Sequence, residues 1–388
     1  MQHRIVVLGA GYAGAIAAGR LARRLRREDV AITLVNAEPD FVERVRMHQV
    51  ATGQHLKPRP FREMFAGTGV DLRFAVVAGV DVDRKTVTLS DGIIEYDTLV
   101  YALGSRWADH GVTGAAEHAY QLASRPGALR LREKLAALEA GRPVAVVGGG
   151  LTGLEAVAEI AEARPDLDVA LVARGGLGDW LSPKGRAHVR KVFGKLGITV
   201  HEHAAVTAVE EDRVVTETGA VTAAVTVWTA GFAVHPIAAA TTLEVNDAGR
   251  IVVDPTMRSV SHPDVYAIGD AALARGAGDK PLRMSCASGT PMAWQAADSI
   301  AARLTGGKLP NAPLAYFNQC VSLGRREGLI QYVTPDDRAR SAVLRGRVAA
   351  VYKELVCRGA AWGVANPMLG LPTRRRRVTG DTATAARP

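Results

Sequence analysis

A chain of 388 residues with 48% hydrophobic content is long enough for two or three domains with substantial cores. Only 5% of residues are aromatic and 40 are glycine, which suits an α/β scaffold and excludes a nucleic-acid binder built on base stacking. The net charge of +9, four of it from Arg374 to Arg377, attracts anionic ligands in general; no nucleic acid is expected as partner. Three cysteines, Cys286, Cys320 and Cys357, are too scattered for a disulfide framework and place the chain in a reducing, cytoplasmic setting. No Cys-x2-Cys or Cys-x4-Cys pair occurs, and no metal-ligand cluster stands out. No apolar run is long enough to span a membrane. The apolar N-terminal stretch runs straight into Gly9, as a strand does and a signal peptide does not.

In chain order, Ile5-Val6-Val7-Leu8 reads as a buried strand, followed by the turn Gly9-Ala10-Gly11-Tyr12-Ala13-Gly14. The composition of residues 13–27, rich in Ala, Leu and Arg, predicts a helix. Residues 31–35 supply the next strand, and Asn36 stands at its end, where an acidic residue often binds an adenosine ribose. The irregular stretch 39–69, with Pro58, Pro60 and His48, is expected to arch over a ligand. Residues 80–96 alternate as a small antiparallel meander, and residues 97–103 form a strand leading to Gly104.

A helix over residues 126–140 precedes a second strand and turn, Val144-Ala145-Val146-Val147-Gly148-Gly149-Gly150-Leu151-Thr152-Gly153. Residues 154–163 then read as helix and 168–173 as strand, ending at Arg174 with no acid beside it. That omission removes repulsion from a 2′-phosphate, and a guanidinium can pair with one, so NADPH is favoured on this residue. Residues 225–228 end in Thr229-Ala230-Gly231, and residues 264–268 end in Gly269-Asp270. Residues 284–297 hold a helix expected to be capped by Thr290 and begun by Pro291. A third, α+β region begins near residue 309, and the basic tail 374–388 is expected to be disordered.

Each fingerprint offers a helix N-terminus and glycines where a side chain would block a pyrophosphate. Two of them imply two dinucleotides, and the chemistry that needs two is redox transfer. Taken together, these landmarks resemble the two-dinucleotide-binding-domain flavoproteins, the superfamily of pyridine nucleotide-dependent oxidoreductases, over residues 1–300. The run Gly148-Gly149-Gly150-Leu151-Thr152-Gly153-Leu154-Glu155 is most similar to the type II NADH dehydrogenase group. The resemblance implies an α/β fold with two Rossmann-like domains. The FAD domain is discontinuous, at 1–112 and 230–308, around an NAD(P)H domain at 113–229. An α+β region at 309–373 and the tail at 374–388 follow.

Fingerprints and resemblance together give cofactor-binding roles to Gly9, Gly11, Gly14, Gly104, Gly148, Gly150, Gly153, Gly231, Gly269 and Asp270, the last toward the FAD ribitol by resemblance. Asn36 and Arg174 join them from their own positions at the strand ends, and since the resembled group mostly uses NADH the cofactor is expected to be NAD(P)H. Glu155 would face the nicotinamide side as a catalytic residue. His48, with an ordinary pKa of about 6.5, is a second catalytic candidate as a proton donor. The expected reaction takes hydride from NAD(P)H to FAD and passes electrons to a quinone or small electron carrier. An FAD-dependent oxidase or dehydrogenase of a small metabolite, and a redox sensor without turnover, are the alternatives. Three departures concern the acceptor: Leu103 where Thr is usual, residues 284–297 in place of an Ala-Gln-rich motif, and a modest apolar face over residues 348–362. Membrane contact and oligomerisation are left open.

Overall fold

In the computed structural model, which describes residues 1–379, the first fingerprint joins a central strand to a helix. Strand His3–Leu8 pairs in parallel with Val30–Asn36 on one side and Thr98–Tyr101 on the other. Val70–Phe74 and Val265–Ala267 extend this to a five-stranded parallel sheet. Strands covered on both faces read as continuous apolar runs, and Ile5 to Leu8 are all buried. Helix α1 (Tyr12–Arg24) crosses behind the sheet on a face of small residues, among them Ala15, Ala17 and Ala18. It stops short of the expected Arg27 because Leu25 turns extended and pairs with Arg376. The arching segment carries two short helices, α2 (Met47–Ala51) and α3 (Phe61–Met64). A three-stranded antiparallel meander, Val77–Asp81, Thr86–Leu89 and Gly92–Glu95, follows as expected.

The second sheet repeats the plan. Its order is Thr199–His201, Asp168–Val172, Pro143–Val147, Val225–Trp228 and Ala119–Gln121, all parallel. Helices α4 (Ala115–His118), α5 (Arg125–Ala136), α6 (Leu151–Ala163) and α7 (Pro183–Lys195) belong to this stretch. Residues 137–140, expected to be helical, lie beyond the end of α5. A second antiparallel meander, Val206–Val209, Arg213–Thr216 and Gly219–Thr222, escaped the sequence reading.

Helix α8 (Cys286–Thr305) returns to the first sheet and packs along α1. It begins a turn earlier than expected. Ser285, not Thr290, is the cap, its hydroxyl accepting from the Ser288 N–H at 3.3 Å. Pro291 therefore lies inside the helix. The last region pairs Asn318–Ser322, Gly328–Val333 and Ala339–Arg345 as an antiparallel sheet under helix α9 (Gly346–Ala365).

The expectation of disorder fails for residues 374–379. The Arg376 N–H donates to the Arg24 carbonyl, Arg375 Nε to the Ala22 carbonyl, and the Thr379 N–H to the Leu304 carbonyl. The composition of this segment gave no hint of such docking, because its partners are main-chain carbonyls at the helix ends. The rest of the expected tail lies outside the described residues.

Asp298 of α8 binds both Arg20 (2.7 Å) and Arg24 (2.5 Å) of α1, fixing the two helices that carry the first site. Asp298→Ala leaves two partly buried guanidinium groups without their carboxylate. It should cost about 2 kcal/mol of stability, read as a lower urea midpoint; an unchanged midpoint would refute the linkage.

Candidate cofactor and active site

The glycines of the two fingerprints divide into two kinds. A Cβ on Gly14 would stand 1.8 Å from the Gly9 carbonyl oxygen, and one on Gly153 1.8 Å from that of Gly148. Gly9 (φ +91) and Gly148 (φ +126) adopt backbone that side-chain-bearing residues avoid, pressed against the strand exits at Ala102 and Thr229. These four glycines close the turn on itself. Gly11 and Gly150 differ: nothing lies within 4 Å of where their Cβ would be. They serve as N-caps of α1 and α6, and neither helix has a side-chain cap. Open space and unsatisfied N–H groups at a helix start make an anion cradle. The residues present thus fit a dinucleotide pyrophosphate at each site.

Around the first cradle, the Ala10 N–H donates to Asn36 Oδ1 at 2.9 Å, and Asn36 Nδ2 donates to the Glu38 carbonyl at 2.8 Å. Asn36 therefore braces the turn, leaving one lone pair and one N–H for a ribose. Gly269 (φ +70) and Gly289 let the Gly-Asp loop and α8 close on Ala13. Asp270 accepts the Ser105 hydroxyl at 2.6 Å, and Arg44 donates to the Ser105 carbonyl at 3.0 Å. Burial lowers the Arg44 pKa, opposed by the Asp270 charge. Gly104 (φ +68) has Arg44 as its nearest neighbour. This Arg44–Ser105–Asp270 cluster was half missed, since only Asp270 stands in a recognisable motif. Gly231 (φ +154) lies against the His110 ring at the exit of the second sheet.

At the second cradle, Arg174 follows strand Asp168–Val172, is exposed, and makes no ion pair or side-chain hydrogen bond among the described residues. Nearby carboxylates are engaged elsewhere. Asp179 accepts the Gly176 N–H at 2.6 Å, and Glu202 accepts the Leu177 N–H at 2.7 Å and Arg190 at 3.0 Å.

The structure brings Glu155 and His48 together, with Glu155 Oε2 and His48 Nδ1 3.9 Å apart. It adds a third group that sequence reasoning missed: Lys353 of α9 forms a buried ion pair with Glu155 Oε1. The Ser322 N–H donates to the same oxygen at 2.9 Å. Burial pushes Lys353 down to about 8. Burial, with Lys353, Arg325 and Arg46 nearby, pushes His48 well below its usual range. The lowered pKa disfavours the imidazolium form on which the expectation of a proton donor rested. Glu43 pairs with Arg46 (3.1 Å) and Arg59 (2.8 Å), and Arg46 reaches Glu354 of α9 at 3.0 Å, locking the arch to the C-terminal helix.

Cys286 is the first residue of α8, and burial raises its thiol to about 11, so it is protonated at neutral pH. The outer face of α9 is more apolar than expected. Val348, Val351, Leu355 and Trp362 are 64%, 53%, 62% and 48% exposed, at helical spacing that makes one stripe. Among the described residues, no helix is long and apolar enough to cross a membrane.

Two parallel sheets, each ending in an open glycine cradle, define a two-dinucleotide oxidoreductase fold. The chain belongs to the pyridine nucleotide-disulphide oxidoreductase family, whose model matches residues 3–301. It is 28% identical over 330 residues to the NADH dehydrogenase-like protein YutJ of Bacillus subtilis, covering 84% of this chain and 91% of that one. It is 24% identical over 386 residues to the type II NADH:quinone oxidoreductase of Staphylococcus epidermidis, covering 91% and 96%. The fold matches the sulfide:quinone oxidoreductase of Aquifex aeolicus with a TM-score of 0.79 at 20% identity, over 98% of each chain. The protein is thus an oxidoreductase whose cofactors are FAD and NAD(P)H, most similar to the type II NADH dehydrogenase group.

Two substitutions test the cradles. Gly11 has φ −66, a value open to any residue, so Gly11→Val should fold normally yet purify without flavin. A folded, yellow Gly11→Val protein would refute the assignment. Arg174→Glu should lower the NADPH/NADH ratio of kcat/KM by roughly tenfold, about 1.4 kcal/mol in relative transition-state binding. An unchanged ratio would make Arg174 a surface residue.

Proposed function

We propose that this protein transfers hydride from NAD(P)H to FAD, bound through Gly9, Gly11, Gly14 and Asp270, and delivers the electrons to a quinone. The cofactor supplies the two-electron chemistry, which the chain's own thiols and carboxylates lack. The chain contributes position through the two open cradles at the starts of α1 and α6.

The observation that carries the acceptor side is the buried Glu155–Lys353 pair with His48 beside it. Reducing a quinone to a quinol consumes a proton beyond the hydride. A carboxylate and an ammonium held together out of water can hold and hand on that proton near neutral pH. The exposed apolar stripe of α9, whose inner face carries Lys353, gives an apolar acceptor a matching approach surface. The printed names of similar proteins agree, among them the type II NADH:quinone oxidoreductase of Staphylococcus epidermidis and the demethylphylloquinone reductase NdbB of Synechocystis.

Steady-state turnover with NAD(P)H and a soluble quinone tests the reading directly, and absence of quinone-dependent oxidation would overturn it. Within that activity, Glu155→Gln should retain flavin and slow acceptor reduction by about 100-fold, inside the range of a positioned proton-transfer group. Rapid mixing of the reduced protein with quinone measures it, and a wild-type rate would assign Glu155 a purely structural role.

A further inference from the structure

The Glu155–Lys353 pair and His48 are sealed in: these residues are 4%, 8% and 5% exposed. A group that gives one proton per turnover must regain one from solvent, and none of the three meets bulk water. The helix carrying Glu155 supplies a route. Glu155, Glu159 and Glu162 fall at i, i+4 and i+7 along α6 and share one face, successive groups rising about 6 Å and then 4.5 Å.

Glu159 is the middle step and the unusual one. It is 2% exposed, and its Oε2 has no hydrogen-bond partner among the described residues. Its Oε1 accepts from the Gln54 amide and lies 3.8 Å from Arg325 Nη1. One neutral amide and one distant guanidinium are poor compensation for a buried carboxylate charge. Burial accordingly raises the Glu159 carboxyl to about 7. Glu162, half-buried at the outer end, accepts the Arg325 N–H at 2.6 Å. The charged groups that face Glu159 are Glu162 on α6 and Arg325 on the loop after Asn318–Ser322, with Glu155 one turn back along α6.

We propose that Glu159 loads the acceptor half-reaction with its solvent proton, passing it from Glu162 along the inner face of α6 to the Glu155–Lys353 pair. The inference rests on the quinone-reducing activity proposed above. The balance is NAD(P)H, quinone and one proton giving NAD(P)+ and quinol; two electrons and one hydrogen nucleus come from the hydride. The second hydrogen nucleus leaves the Glu155–Lys353 pair for the quinone oxygen. The Glu159 O–H bond breaks to restore that pair, one helical turn away on the same face of α6. The Glu159 carboxylate then takes a proton from water by way of Glu162. Glu159 acts through Glu155 and is a positioning and relay residue, not one that touches the acceptor.

Glu159→Gln keeps the shape and the contact to Gln54 but cannot carry a proton. In rapid mixing, flavin reduction by NAD(P)H should stay within about twofold of wild type, since hydride transfer takes no solvent proton. Reoxidation by menadione should fall by about tenfold or more and lose its pH inflection near 7, with Glu159→Asp restoring that inflection. Equal slowing of both half-reactions, or wild-type reoxidation across pH 6–8, would overturn the proposal.

A second readout is independent of turnover. A carboxyl whose folded pKa lies above its unfolded one contributes stability at low pH that is lost as pH rises toward the folded value. The melting temperature of wild type relative to Glu159→Gln should therefore fall between about pH 5 and 7 and stay flat above. A flat difference across that window would overturn the proposal even in an active enzyme. The expected slope in a protein inert toward quinone would instead locate the failure in the acceptor.

Discussion

A pyrophosphate can be held by main-chain amides only where no side chain stands between them and the ligand. That constraint organises this protein twice. In each fingerprint, two glycines are consumed by the turn itself, with the carbonyl of the first pressed onto the Cα of the last. The middle glycine alone opens outward and leaves the helix start uncapped. The tight turn also forces the next strand exits, Ala102 and Thr229, to run close to Gly9 and Gly148. Gly269 and Gly289 in turn let the Gly-Asp loop and α8 approach Ala13 closely, beside the first cradle.

This is also why so much of the fold was legible. Gly, Val and Ala at fixed spacing carry both a local conformation and a reason for it, so the βαβ units, the strand ends and Asp270 stand out. What stayed hidden depends on partners remote in sequence. Lys353 lies in a helix whose pattern reads as an ordinary surface segment, and only the fold places it on Glu155. Arg44 is one arginine among several in an irregular stretch until Ser105 and Asp270 arrive beside it. The start of α8 was misplaced because Pro291 is a strong helix-start signal, while Ser285 acts as cap through a single hydroxyl. The docking of residues 374–379 uses main-chain carbonyls at the ends of α1 and α8, which no side-chain pattern announces.

The family takes its name from disulphide chemistry, yet the residues around this first site argue for another exit for the electrons. Cys286, Cys320 and Cys357 all have thiols raised by burial, and the chain has no closely spaced cysteine pair. Thiol–disulfide exchange needs a thiolate, and burial withholds it. In the proposed function, the buried carboxylate–ammonium pair supplies the proton that a quinone takes up as it is reduced.

Helix α9 ties these features together through its two faces. Its inner face sets Lys353 against Glu155 and Glu354 against Arg46, so α9 ties the arch and the helix of the second cradle into one network of charges. Its outer face leaves Val348, Val351, Leu355 and Trp362 in the open. A buried charge needs its partner held rigidly, because removing one member strands the other at a cost of about 3–5 kcal/mol. The helix cannot slide or rotate without incurring that cost, so the apolar stripe is fixed in orientation relative to the proton-handling pair. In the proposed function, this coupling lets one helix both present an apolar approach and place an ammonium where the proton is needed.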